Sequence, residues 1–244
     1  MTSGVARLLS VTQTLHAPRI FERSVKLSGR DLSTDRGLVS MDRRAIYPGP
    51  KSQLRTICGA LGCDDPSALD PFLSQCTAVH FGADEDIGKC YLEFVPDNAP
   101  ENDLVFLALK WREGQQRLNR YVSLTDLTHA EKQAAIADVI TDAVVADAMR
   151  QCLDLARDGD PDGKAVLLRV TEDRTDRVSL DISVADAGRT LGQVMDVLRP
   201  LLEASGEAME WAEAHADASF GHIAAGMDAD SQPFVTIYYG AQAL

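Results

Sequence analysis

Five stretches of this chain alternate apolar with polar residues at a period of two. Lys89, Tyr91 and Glu93 alternate with Cys90, Leu92 and Phe94. Arg117, Asn119, Tyr121 and Ser123 alternate with Leu118 and Val122. Ser179, Asp181 and Ser183 alternate with Val178, Leu180 and Ile182, and Thr236 and Tyr238 with Val235 and Ile237. Arg36, Ser40 and Asp42 alternate less cleanly with Gly37, Val39 and Met41. Successive strand side chains point to opposite faces, so each stretch predicts a strand with one apolar and one polar face. Lys, Arg, Tyr and acids dominate the polar face, which is therefore not generic surface. Strands that close with this face inward enclose a wet chamber; an open α+β sheet leaves the face solvated. Periodicity alone leaves both open.

The order of elements adds a second constraint. A short helix is expected over 5–15, then a strand pair near 19–27 and 36–42. Helices are expected over 51–61 and 67–75, the second starting at Pro66. A second pair, near 77–83 and 89–95, turns through Asp84-Glu85-Asp86-Ile87-Gly88. A third, near 104–112 and 117–123, turns at Glu113-Gly114. Thr128 and Glu131 form a capping box for one long helix, which Gly159 and Pro161 end. A fourth pair lies near 164–171 and 177–184. Amphipathic helices follow from Leu191 to Leu202, bent or broken near Pro200, and over 207–216. The last pair, near 218–226 and 233–239, turns through Asp228-Ala229-Asp230-Ser231. Hairpins imply antiparallel pairing, and no Gly-rich loop follows a strand, which argues against a nucleotide fold. With no obvious linker, the 244 residues read as a single domain. Apolar strand faces need amphipathic helices to cover them.

Composition narrows the partners. Lys and Arg total 24 against 37 Asp and Glu, a net charge of −13. Such an acidic excess disfavours nucleic acid or an anionic membrane as the main partner. It leaves room for a local basic pocket that takes a small anion. The cysteines Cys58, Cys63, Cys76, Cys90 and Cys152 are odd in number and contain no CxxC, so neither a disulfide framework nor a structural zinc site is expected. Isolated apolar thiols fit a reducing, cytoplasmic setting. No signal-like h-region or long apolar run is present, so the chain reads as soluble.

Short patterns on successive hairpins resemble the ABBA-type aromatic prenyltransferases, most closely their small cyanobactin-like peptide prenyltransferases. Glu22-Arg23-Ser24 is similar to the family's Glu-x-Ser, and Lys89-Cys90-Tyr91 to its Lys-x-Tyr. Arg117-Leu118-Asn119-Arg120-Tyr121 resembles Arg-x-Lys-x-Tyr with Asn at the Lys position, and Tyr238 stands where the family often has Tyr. The chain departs from the family in a short Pro-containing loop, Pro96 to Pro100, where an outer helix would be expected. The resemblance implies an antiparallel ten-stranded β-barrel ringed by α-helices. It also implies transfer of a dimethylallyl or geranyl group from its diphosphate to a side chain of a ribosomally derived, cyclic peptide.

That chemistry needs fixed cations and hydroxyls for the leaving diphosphate. Arg36, Lys89 and Arg117 with Tyr91, Tyr121 and Tyr238 are the candidates. The allyl cation needs aromatic faces and exclusion of water, which the same tyrosines offer. The acceptor must lose a proton, and Glu22 is the candidate base. Lys110, Arg169, Asp181 and His222 are candidate chamber-lining residues. No metal ligands and no permanently bound cofactor are expected; Mg²⁺ would join through the diphosphate.

Plainer roles stand beside these. Glu22 could be a surface strand carboxylate, Lys89 could pair with Glu93 on the surface, and Trp111 could pack under a helix. Arg169 could point to solvent, His80 and His222 could be structural, and Asp64-Asp65 could cap a helix start. Two other functions are weighed. A non-catalytic small-ligand-binding barrel predicts a mainly apolar chamber, and an acidic protein-interaction module on an open sheet predicts none.

Overall fold

The computed structural model describes residues 3–46, 49–160, 162, 165–203, 205–228 and 232–244. Pro161 and the Ala229–Ser231 part of the last expected turn lie outside them. Eleven strands form one antiparallel sheet in the order β11-β10-β9-β8-β7-β6-β5-β4-β3-β1-β2, and β11 pairs back onto β1. These are β1 (Ile20–Ser28), β2 (Asp31–Ser33), β3 (Arg36–Asp42), β4 (Ala78–Asp84), β5 (Ile87–Glu93) and β6 (Leu104–Arg112). The series continues with β7 (Gln115–Ser123), β8 (Leu167–Glu172), β9 (Val178–Ser183), β10 (Phe220–Met227) and β11 (Pro233–Ala243). The β1–β11 ladder runs from Ile20↔Ala243 to Ser28↔Phe234 and closes a ten-stranded barrel, with β2 hydrogen-bonded to β1 alone. Closure removes the exposed edges an open sheet would present.

Every tight connection lies at one end of the barrel and every long connection at the other. The β1-to-β3 turn and the β4–β5, β6–β7, β8–β9 and β10–β11 turns mark the first, hairpin end. The connections carrying helices mark the second. Outside the wall lie α1 (Gly4–Thr12), α2 (Pro50–Ala60), α3 (His129–Val139), α4 (Ala143–Gly159), α5 (Met195–Leu202) and α6 (Gly206–Ala214). Among the described residues, none is long and apolar enough to cross a membrane.

The apolar core lies between wall and helices, not in the lumen, and splits into two arcs. In one, Val25, Leu180, Ile182, Ile223, Val235 and Ile237 pack under α3 to α6. In the other, Val39, Val79, Phe81, Cys90, Leu92 and Leu107 pack under α1, α2 and the following turns. Trp111 belongs to this second arc, and its indole Nε1 donates to the Leu61 carbonyl at 3.1 Å, closing the end of α2. All five cysteines are buried free thiols.

Several local expectations are corrected. The segment after Pro66 forms only a 3₁₀ turn, Ser67–Leu69, with Pro66 at its N-cap; Asp65, just before it, accepts from the Ser67 amide at 3.0 Å. The long helix after Thr128 is two helices. The Thr128–Glu131 capping box starts α3, but Asp142 starts α4 by accepting from the amides of Val144 and Val145 at 2.9 and 3.0 Å. Pro200 does not break α5, which runs through it to Leu202. Strand β2 has no forerunner in the alternation, because it is only three residues long. Between β5 and β6 only the 3₁₀ turn Pro96–Asn98 stands where an outer helix would be expected.

Gly88 faces Trp111 across the β5–β6 ladder, and a Cβ there would strike the indole ring. Over-packing of this kind costs about 1–3 kcal/mol. Gly88→Ala should lower stability by about that amount in urea unfolding while leaving the far-ultraviolet circular dichroism of the folded state unchanged.

Candidate active site

Closure turns the polar faces inward. Of the buried polar residues Thr12, Ser24, Arg36, Asn119, Lys132, Ser179, Asp181 and Thr236, all but Thr12 and Lys132 are inner-face strand residues. Arg36, Asn119, Ser179, Asp181 and Thr236 border a cavity of about 520 Å³. Lys89, on β5 near the middle of the sheet order, and Tyr238, on β11 at its end, line this same space with Arg36, Tyr91, Arg117 and Tyr121. Lys110 and Asp181 line it too.

Arg169 does not. Tyr121 pairs with Val170 and Ser123 with Leu168, so Leu168 and Val170 take the inner face and Arg169 is exposed outside. Three cations not anticipated, Lys26, Arg112 and Arg177, reach the cavity; Arg112 pairs with Asp86 at 2.8 Å, and Lys26 and Arg177 lie 5.4 and 5.3 Å from the Phe234 ring centroid. Lys26 shares strand parity with Glu22, a signal that would have found it. Arg177 precedes β9 and carries no periodic signal.

The cations form the tier nearest the hairpin turns. Lys89 pairs with Lys110 across the β5–β6 ladder, and Lys110 with Arg117 across β6–β7, so three positive side chains stand in one cross-strand row. Like charges directly opposite are destabilising, so counter-ions matter. Asp84 supplies one, binding both Arg36 and, at 2.9 Å, the Lys89 Nζ. Burial opposes the Asp84 charge, yet the Lys89 and Arg36 charges win and hold the carboxyl well below the usual range. Burial pushes the Lys89 ammonium down to about 8 despite Asp84. Arg177 leans on Glu172 at 3.7 Å and Lys26 on Asp228 at 3.9 Å. Lys110 and Arg117 have no carboxylate partner among the described residues; Arg117 donates only to the adjacent Gln116 carbonyl, at 2.9 Å. Burial, reinforced by Lys89 and Arg177, pushes Lys110 down to about 7. The Nε of Arg36 is likewise buried without a partner.

Below the cations lies a tyrosine tier. Tyr91 and Tyr121 stack edge to face at 5.8 Å, with their hydroxyls hydrogen-bonded to each other. Burial pushes Tyr91 up to about 12, and Tyr121 and Tyr238 well above the ordinary phenol value. All three stay neutral hydrogen-bond donors at physiological pH. Asn119, in the same strand, places Nδ2 3.4 Å from Glu172 and leaves Oδ1 without a partner.

The third tier carries titratable groups. Glu22 sits where the β1–β11 register shifts between Phe21 and Arg23, and Gly221 where the β10–β11 register shifts between Phe220 and His222. Bulges re-aim side chains, and these two meet: a Cβ at Gly221 would strike the Glu22 carboxylate. Burial raises the Glu22 carboxyl, His222 opposes the rise and Asp181 adds to it. His222 Nδ1 lies 3.2 Å from Asp181 Oδ1 and its ring 5.9 Å from that of Tyr238. Burial opposes its charge, but the Asp181 bond and the Asp181 and Glu22 charges raise the imidazole to about 9. Across the lumen His80 bridges Ser40 at 2.7 Å and Glu93 at 2.9 Å, so Glu93 pairs with His80 rather than Lys89. Among the described residues, no group of three or more His, Cys, Asp or Glu is disposed to hold a metal.

No family model and no curated protein matches this sequence. Solved structures do match in fold. The NotF prenyltransferase, also solved in complex with brevianamide F and DMSPP, superposes with a TM-score of 0.54 at 13% identity, over 91% of this chain and 80% of NotF. AnaPT from Neosartorya fischeri gives a TM-score of 0.50 at 14% identity, over 90% and 77% of the two chains. The architecture is therefore the helix-ringed ABBA prenyltransferase barrel, here in a shorter chain.

Lys110 is charged in the unfolded chain over the range between about 7 and its ordinary value, but neutral in the folded one. Folding releases its proton in that window, so stability rises with pH there. Lys110→Met should flatten the rise by at most about 1.4 kcal/mol per pH unit. Urea unfolding curves taken across the window, from just above neutral pH to the alkaline side, measure it.

Proposed function

We propose that the protein is a prenyltransferase that moves an allylic group from its diphosphate to a side chain of a peptide, with Glu22 as the base. The observation that carries this reading is an order along the barrel: a cation tier and a tyrosine tier line the cavity, and a buried carboxylate, Glu22, stands beyond them with His222 and Asp181. The mainly apolar chamber of a small-ligand carrier would not gather seven Lys and Arg residues, Lys26, Arg36, Lys89, Lys110, Arg112, Arg117 and Arg177. The fold shared with NotF, solved with brevianamide F and DMSPP, supports the same reading.

On this reading the diphosphate takes the place the cation row leaves uncompensated, at Lys110 and Arg117, with Lys89 and Arg36 beside it. The allylic C–O bond breaks and its electron pair goes to the diphosphate oxygen. Preorganised cations and neutral phenol O–H groups stabilise that developing charge. The allyl cation is left among the faces of Tyr91, Tyr121 and Tyr238, where cation–π attraction holds it. The acceptor atom forms the new bond and gives its proton to Glu22, whose raised pKa makes it a stronger base than an exposed carboxylate. Mg²⁺, where it takes part, joins through the diphosphate oxygens, and no cofactor is held permanently.

Incubation with dimethylallyl or geranyl diphosphate and Trp-, Tyr- and Arg-containing cyclic peptides, read by mass shift, tests the activity. Glu22→Gln should lower turnover by about 10²–10⁴-fold with donor binding nearly intact. Gly221→Ala displaces the same carboxylate without removing it, and its turnover should fall in the same direction. Full activity in Glu22→Gln would remove Glu22 as the base.

A further inference from the structure

The tiers follow each strand's distance from its hairpin turn, and this sorts the lumen into two unlike mouths. At the hairpin end stand all the inner-face Lys and Arg residues described above. At the other end the described inner-face residues include Glu22, Ser40, His80, Glu93, Ser183 and His222, with no Lys or Arg among them. The tyrosine tier stands between. Tyr121 packs against Phe106 at 5.8 Å, and Tyr91 against His80 at 6.4 Å, on the side away from the cations.

This second end is open. The side chains of His222 and Glu93 are each 36% exposed although both point into the barrel. Ser40, Phe106, Ser123 and Ser183 also face inward and are only half-buried. Solvent therefore reaches the far side of the tyrosines without crossing the cation tier.

Resting on the reading above, we propose that the barrel is loaded from both ends. The allylic diphosphate occupies the hairpin mouth. The acceptor comes through the helix-side mouth, which takes a nucleophilic side chain on an amide-linked scaffold and rejects a free amino acid. The reason is charge. Glu22, Glu93 and Asp181 face the acceptor's path, and the His222 imidazolium is already bonded to Asp181. His80 is already bonded to Glu93 and Ser40. A free α-carboxylate would meet Glu22 and Glu93 with no uncommitted cation to hold it, whereas an N–H or O–H donor finds Glu22 as acceptor. In a peptide or cyclic dipeptide that carboxylate is an amide, and the repulsion is gone.

Two measurements test this. First, each reactive side chain is offered as free amino acid, N-acetyl amide and cyclic dipeptide. The amide forms should exceed the free acid in kcat/KM by at least about tenfold, equivalent to about 1.4 kcal/mol. Equal use of the free amino acid overturns the proposal. Second, Ser183→Trp narrows the helix-side mouth and Gln115→Trp the hairpin mouth. Ser183→Trp should raise the acceptor KM about tenfold with unchanged calorimetric affinity for dimethylallyl S-thiolodiphosphate, and Gln115→Trp should do the reverse. Both substrates responding to the same mouth overturns the two-ended arrangement alone. A wild-type protein that does not bind the thiolodiphosphate overturns the prenyl-transfer reading as well.

Discussion

A barrel that gathers cations in its own lumen must hold them there before any ligand arrives. Asp84 meets that constraint. It binds Arg36 and Lys89 together, and without it two buried positive groups would face Lys110 and Arg117 unshielded. Removing one partner from a buried ion pair costs several kcal/mol because the other charge stays behind. Compensation is incomplete by design of the row. Asp84 answers Lys89 and Arg36, Glu172 answers Arg177, and Lys110 and Arg117 are left without a carboxylate. The folded protein tolerates this partly by making Lys110 a weaker base, so that its charge is reduced until an anion restores it. One row of the lumen is thus left short of negative charge, which favours an anion there.

The same constraint explains which parts of the structure were legible in the sequence. Where a strand alternates cleanly, as at Lys89–Glu93 or Ser179–Ser183, sequence parity assigns the inner face without knowledge of pairing. The hairpins and the capping box at Thr128 and Glu131 followed from equally local rules. Arg169 shows where this ends. A charge between Leu168 and Val170 looks like an intruder into an apolar strand, but β8 presents those two aliphatics to the lumen and the arginine to solvent. Only the register against β7 decides between the faces, and register is a non-local property. The split between α3 and α4 was hidden for a related reason, since Ile136, Ile140 and Met149 keep a helical rhythm across a break set by one capping aspartate. Lys26 was hidden by its setting among Val25 and Leu27, which face the helices.

Antiparallel hairpins do more than close the wall. Because all the turns lie at one end, distance from a turn becomes height in the barrel. Asp84 and Lys89 flank one turn and Lys110 and Arg117 another, while His80, Glu93, Phe106 and Ser123 lie at the far ends of those same strands. A few residues of strand thus separate the clustered cations from the buried carboxylate of Glu22. The separation has a chemical consequence. A carboxylate placed beside Lys89 or Arg36 is held in its charged form and becomes a weak base, as Asp84 shows. Glu22, buried beyond the tyrosines, keeps a raised pKa because burial outweighs the opposing His222, with Asp181 adding to the rise. One lumen can therefore hold a carboxylate that neutralises cations and another that accepts a proton, because the hairpin geometry keeps them at different heights.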